Sequence, residues 1–148
     1  MSLESQEDDR QYAPATQRNR EVILEVLQTV LPPTGTVLEI ASGTGEHAIF
    51  FAPRLQPRQW LPSDPDPVAL ASIAAWRAYA PAENLHPAIA LDVFDRPWVV
   101  ERDERTTILP TLDLHQYPIT AIVAINMIHV APWTACEELL AGARRLLP

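Results

Sequence analysis

The stretch "LEIASGTGEHA", Leu38 to Ala48, places a carboxylate, Glu39, four residues before the first of two closely spaced glycines, Gly43 and Gly45. Glycines let a backbone turn tightly and come close to a ligand, and the N–H groups opening a helix from about Glu46 point into the same space. A negative or electron-rich group is favoured there. "GTGEHA" also satisfies the loose G-x-G-x-x-A fingerprint of dinucleotide sites, and Asp64 follows at about 20 residues, the distance of a ribose-binding acid. Glu39 pulls the other way. A pyrophosphate approaches best with no carboxylate nearby, whereas the ammonium of an amino-acid moiety or a sulfonium is attracted by one. An unpaired carboxylate buried here would be costly, which argues against a structural accident.

Other residues of chemical interest are more ambiguous. Asp66 before Pro67 reads as a helix N-cap, with the proline at the first helical position where its missing N–H costs nothing. His129 stands just after a strand, where a general base for an incoming O–H or N–H nucleophile would sit, although a lone histidine is more often structural. His47 is open to the same two readings and is expected to help anchor the first helix. Trp133 either walls a substrate pocket or joins the core, and Cys136, three residues from Trp133 and Leu139, reads as a small core residue. "ERDER", Glu101 to Arg105, reads as a solvated turn of helix. No His, Cys and Asp cluster has metal-ligand spacing.

These residues need a scaffold, and the pattern supplies one. Val22, Ile23, Val26, Leu27, Val30 and Leu31 recur at helical spacing from Thr16 to Leu31, and Pro32 and Pro33 forbid continuation. Val37 to Ile40 reads as a buried strand, followed by the glycine turn and a helix from Glu46 to Leu55. Trp60 and Leu61 form a second strand before a helix from Pro67 to about Ala80, with Leu70, Ile73, Ala74 and Arg77 along one side. "HPAIALD" gives a third strand ending at Asp92 and "ITAIVAIN" a fourth ending at Asn126. Phe94 to Pro118 is a helical turn or irregular connection, and Trp133 to Leu147 a final helix. Short apolar strands alternating with helices predict a doubly wound, mostly parallel α/β sheet, in which ligands sit at the carboxyl ends of the strands. Ser42 to Gly45, Asp64, Asp92 and Asn126 all fall at such ends.

The 148 residues carry 11 basic and 19 acidic side chains, a formal charge of −8, so the long-range field repels polyanions and nucleic acid is not an expected partner. One cysteine excludes an intrachain disulfide and the polar start lacks a signal-peptide core, so the cytoplasm is the expected location. No apolar run is long enough for a membrane span. Residues 1–11 read as a disordered tail.

With the motifs on the page, "VLEIASGTGEHA", "SDPDP", "LDV" and "INMIH" resemble the successive motifs of class I S-adenosylmethionine-dependent methyltransferases. More closely, "YAPATQRNREVILEVL", "EIASGTGEHAIFFAPRL", "WLPSDPDPVALASIAAW" and "INMIHVAPWTACEELLAGARRLLP" resemble the methyltransferase-like protein 26 type, over residues 12–148. The resemblance implies a Rossmann-like methyltransferase domain, here its amino-terminal part with the carboxyl-terminal strands missing, and methyl transfer to a small-molecule or protein acceptor. It implies that Glu39 with Ala41, Ser42, Gly43 and Gly45 holds the methionine portion of the cofactor and Asp64 the ribose hydroxyls. Asp92 and the backbone of Val93 would meet the adenine, Asn126 the floor near the methyl, and Tyr12, Asn19 and Arg20 would close over the pocket. Ala41 stands where the first glycine of that loop usually sits. The competing expectations are a nicotinamide-dinucleotide oxidoreductase and a non-catalytic partner-binding domain. A sheet ending after strand four also predicts an uncovered edge open to self-association.

Overall fold

In the computed structural model, which describes residues 8–102, 109–125 and 127–148, four parallel strands run in the order β3-β2-β1-β4. They are β1 (Thr36–Ile40), β2 (Gln59–Asp64), β3 (Ile89–Ala90) and β4 (Ile119–Ala124). The helices are α1 (Pro14–Val30), α2 (Glu46–Arg54), α3 (Pro67–Tyr79), α4 (Met127–Val130) and α5 (Trp133–Leu146), with a 3-10 turn at Val99–Glu101. The chain moves outward from β1 through β2 to β3, then returns to pair β4 with the other side of β1. The order therefore reverses at β1, and a crevice opens beyond the carboxyl ends of β1 and β4. This is the expected doubly wound α/β fold.

Every residue of β1 is buried, as both faces of a central parallel strand must be. Alternate side chains go to opposite faces. Val37 joins Leu27, Phe51, Trp60 and Leu85 in a core beneath α1 and α2, while Leu38 and Ile40 join Leu61, Ile89, Trp98 and Met127 beneath α5. The connection after β3 adds its own residues, Val93, Trp98 and Val100, to this second face. Its Trp98 is fully buried and donates from Nε1 to the Val93 carbonyl at 3.1 Å.

Strand and helix boundaries depart from the sequence expectations in instructive places. β2 continues through Pro62 to Asp64. Trp60 N–H bonds the Asn84 carbonyl on the outer side, and by alternation residue 62 is the next whose N–H would face that way; there it falls between the Trp60–Leu85 bridge and the start of β3, so no ladder bond is lost. β3 is only two residues long and ends before Asp92. β4 ends at Ala124, and the expected end at Asn126 lies outside the described residues. The buried side of α3 is Ala69, Ser72, Ile73 and Trp76, so of the expected stripe Leu70, Ile73, Ala74 and Arg77 only Ile73 is buried. Asp66 caps this helix as expected, accepting from Val68 N–H at 3.0 Å.

Glu101 is not simply solvated: it accepts from Trp98 N–H at 2.7 Å and pairs with Arg145 at 2.8 Å, tying the connection to α5. The rest of "ERDER" beyond Arg102, and the connection from there to residue 108, lie outside the described residues.

Helix α5 docks on Trp98 through Gly142, where an added Cβ would stand 2.1 Å from the indole Cζ2. Glycine in a helix interior ordinarily costs about 1 kcal/mol against alanine. Here the sign reverses: Gly142→Ala should lower stability by about 1–2 kcal/mol through overpacking, measured as a shifted urea midpoint. A variant more stable than the parent would show that this contact does not fix α5.

Candidate functional site

Two clefts, of about 320 and 330 Å³, open at the carboxyl ends of the strands and share Ala41, Met127 and Val130. The first is lined by Ala13, Thr16, Glu39, Ala41 to Thr44 and His47. The second is lined by Ile40, Asp64, Leu91, Asp92, Val93 and Phe94, with α4 and the start of α5 opposite. Each has the size of a small-ligand site, and the two adjoin at the switch point across their shared lining residues.

The glycine turn between them is stitched to β2. Ser42 N–H donates to the Ser63 carbonyl at 2.8 Å, and Ser63 N–H donates back to Ser42 Oγ at 3.0 Å. Ser63 Oγ donates to the Glu39 carbonyl at 2.6 Å, and Gly43 N–H donates to Asp64 Oδ2 at 3.0 Å. Asp64 Oδ1 also accepts Asp66 N–H at 2.9 Å, so the carboxylate is oriented through both oxygens while each keeps a second lone pair. Two adjacent acceptors in one fixed plane suit a vicinal diol.

Ala41 and Gly43 have φ of 55° and 58°, and Gly45 of 91°. At Gly43 an added Cβ would meet nothing within 4 Å, so this glycine leaves open space on the cleft side. Gly45 differs: its missing Cβ faces Ile73 Cα at 2.9 Å, so it brings the turn against α3. Ala41 holds the left-handed conformation with a methyl group, which explains why glycine suits this place better.

Glu39 is 2% exposed, and among the described residues it has no basic side chain within ion-pair distance. Its Oε1 accepts the Trp60 indole N–H at 3.3 Å. Burial, with the charge of Asp64 added, pushes its carboxyl up to about 7 against the hydrogen bonds from Ser42 and Trp60. This is a buried acid on the cleft wall with no cation beside it among the described residues.

His47 bonds Asn19 Oδ1 through Nε2 at 2.9 Å and stacks on Phe51, joining α2 to α1. Burial lowers its pKa from the ordinary 6.5. With Asn19 Oδ1 as the acceptor, the ring proton belongs on Nε2 and the lone pair on Nδ1.

The remaining expected residues are scattered. Tyr12 packs edge-on against Trp76 and is 63% exposed; Ala13 and Thr16 line the cleft instead. The Arg20 guanidinium lies 4.4 Å from the Phe50 ring centroid, on α2. Trp133 is 65% exposed on the first turn of α5, in neither core nor cleft lining. Asp92 and Val93 line the second cleft, with Asp92 Oδ1 also accepting Phe94 N–H at 3.0 Å. Asn126 and the His129 side chain lie outside the described residues. The described residues contain no group of three or more potential metal ligands and no helix long and apolar enough to cross a membrane.

Sequence reasoning missed Glu46, Ser72 and Trp76. Glu46 Oε1 accepts Ala13 N–H at 2.5 Å and Thr44 Oγ1–H at 3.0 Å. Ser72 Oγ accepts Gln11 N–H at 2.8 Å and donates to the Thr44 carbonyl at 2.7 Å. Trp76 Nε1–H bonds the Gln11 carbonyl at 2.8 Å. Residues 10–13, the end of the expected tail and the start of the expected domain, are therefore a strap held against the turn. The only local clue was a buried-type serine on a helix face.

A family model described as "Protein of unknown function (DUF938)" matches residues 10–148. Among solved structures, the chain resembles a SAM-dependent methyltransferase from Anabaena variabilis (TM-score 0.64, 19% identity, covering 89% of this chain and 47% of that one). It also resembles PKMT2 from Rickettsia typhi, solved in complex with AdoHcy (0.58, 19%, 93% and 25%), and the sugar N-methyltransferase KedS8 from Streptoalloteichus (0.55, 17%, 93% and 50%). The chain thus spans a quarter to a half of the length of these structures.

Two predictions follow from the titrating groups. For Glu39 the folded value of about 7 exceeds the ordinary 4.5, so its favourable contribution is full below 4.5 and is lost as pH rises through 7. Glu39→Gln should therefore stabilise the ligand-free chain by about 1–3 kcal/mol at pH 8 and by almost nothing at pH 4, in denaturant titrations at both. Nitrogen NMR of His47 should find Nε2 protonated, Nδ1 bare, and the neutral ring persisting below pH 6.5; an Nδ1–H tautomer would reverse the assignment.

Proposed function

The chain belongs to the DUF938 family, and we propose that it binds S-adenosylmethionine across the two clefts and serves methyl transfer to a small-molecule or protein acceptor. The observation that carries this reading is Glu39: a buried carboxylate without a cationic partner among the described residues, set beside a turn whose Gly43 leaves open space. A ligand with an ammonium group supplies the missing charge, and a pyrophosphate would aggravate the burial. The likeness to solved methyltransferases supports the fold on which this reading depends.

The donor set fits the group residue by residue. Glu39 and the turn from Ala41 to Gly43 would take the amino-acid end, with Gly45 shaping the turn from behind. Asp64, oriented by Gly43 and Asp66, would accept the two ribose hydroxyls. Asp92 and the Val93 backbone would meet the adenine, between the apolar walls of Leu91, Phe94 and Met127. Bound S-adenosylmethionine supplies an electrophilic methyl group on a positively charged sulfur. The chain contributes alignment, which can carry much of the acceleration of such a displacement. Its carboxylates at Glu39 and Asp64 favour the cationic ligand, and the apolar half excludes water. His47 Nδ1 offers a neutral site able to accept a proton from the acceptor. Within the class, the reading extends to the methyltransferase-like protein 26 type on the motifs from Tyr12 to Pro148.

Calorimetry with S-adenosylhomocysteine and NAD tests the proposal on this chain. S-adenosylhomocysteine should bind and NAD should not. Asp64→Ala and Glu39→Gln should each weaken binding by about tenfold or more, the scale of a lost charge-assisted hydrogen bond. Binding of NAD with no heat from S-adenosylhomocysteine would refute it in favour of a dinucleotide site.

A further inference from the structure

Thr44, the middle residue of the glycine turn, is bonded through both its hydroxyl and its carbonyl to side chains that also hold the amino-terminal strap. Its hydroxyl donates to Glu46 Oε1, the atom that receives Ala13 N–H. Its carbonyl receives Ser72 Oγ–H, and that oxygen in turn accepts Gln11 N–H. Ser72 is fully buried and Glu46 is 5% exposed, so water does not compete for these bonds. Trp76 completes the grip from the Gln11 carbonyl, and Arg10 lies over the Trp76 and Tyr79 rings. Ala13, the last gripped residue, and Thr16, three residues on, line the first cleft together with Gly43.

We propose that Glu46 and Ser72 are positioning residues that couple closure of the strap over residues 10–13 to the conformation of the glycine turn, so that strap order and ligand binding rise and fall together. The inference rests on reading the first cleft as the amino-acid end of the S-adenosylmethionine site. Neither side chain lines the cleft, and both act through Thr44. Because the strap is held by its backbone N–H and carbonyl groups, the latch reads main chain, and the side chains at 11 and 13 are free of that duty. A ligand that fixes the turn therefore fixes Thr44, and Thr44 presents Glu46 and Ser72 to the strap in the bonded geometry. The coupling works equally in reverse: loosening the strap costs affinity at a cleft that neither latch residue touches.

Hydrogen exchange at the Gln11 and Ala13 amides reads the latch directly, and calorimetry with S-adenosylhomocysteine reads its effect. In the parent chain the ligand should slow both amides by tenfold or more. Glu46→Ala should speed Ala13, Ser72→Ala should speed Gln11, and each should raise the dissociation constant fivefold or more. Glu46→Gln, which keeps an acceptor oxygen, should restore affinity to within threefold of the parent, a rescue that a general loss of stability would not produce. Faster exchange in the alanine variants with unchanged affinity would overturn the inference and leave the cofactor reading intact. A parent chain that ignores S-adenosylhomocysteine would overturn the cofactor reading, and the ligand coupling with it.

Discussion

A carboxylate in the middle strand of a parallel sheet is expensive, because that strand has no face turned to solvent. Glu39 occupies such a place, and its surroundings lower the cost only in part: one indole N–H from Trp60 and the nearby Ser42 hydroxyl favour the charged form, while burial and Asp64 oppose it. The residue is consequently poised between neutral and charged near pH 7. Hydrophobic replacement would suit the sheet better, which is why the position is hard to explain by packing. It makes sense if a cation arrives.

The turn after β1 is built to keep that carboxylate and Asp64 in register. Ser42 and Ser63 exchange bonds past the end of β1, and Gly43 closes onto Asp64, so the turn is an extension of the β1–β2 pairing. Both acidic residues thereby come from adjacent strands with little freedom to separate. Below the turn, Gly45 lets α3 approach; above it, Thr44 reaches the strap. Three layers of structure converge on five residues.

Much of this frame was legible in the sequence. The alternation of short apolar strands with helices, the proline stops and the Asp66–Pro67 cap are local signals, and they specified the elements that carry Glu39 and Asp64. What escaped was non-local. Gln11 meets Ser72 across a separation of 61 residues and Ala13 meets Glu46 across 33, so no window of sequence contains either pair. Gly43 and Gly45 look alike in a motif, yet one borders a cleft and the other a helix, a difference set by α3. The Tyr12 ring goes to Trp76, and its small neighbour Ala13 goes to the cleft. The second strand was expected at Trp60 and Leu61 alone, and the gap in pairing opposite Pro62 lets it continue to Asp64.

The crevice has a divided character. Only Ala41, Met127 and Val130 belong to both clefts; the half holding Glu39 and the half holding Asp64 and Asp92 are otherwise lined by different residues, with Glu39 and its β1 neighbour Ile40 turned to opposite halves. Under the proposed reading, recognition is modular. A fragment resembling adenosine and one resembling an amino acid can occupy their halves at the same time, each weakly. Joining them turns the second contact into an intramolecular one, and affinity then depends on the span across Ala41 as much as on either half. On that reading, selective ligands would be assembled from two pieces, with the linker between the halves as the element to vary.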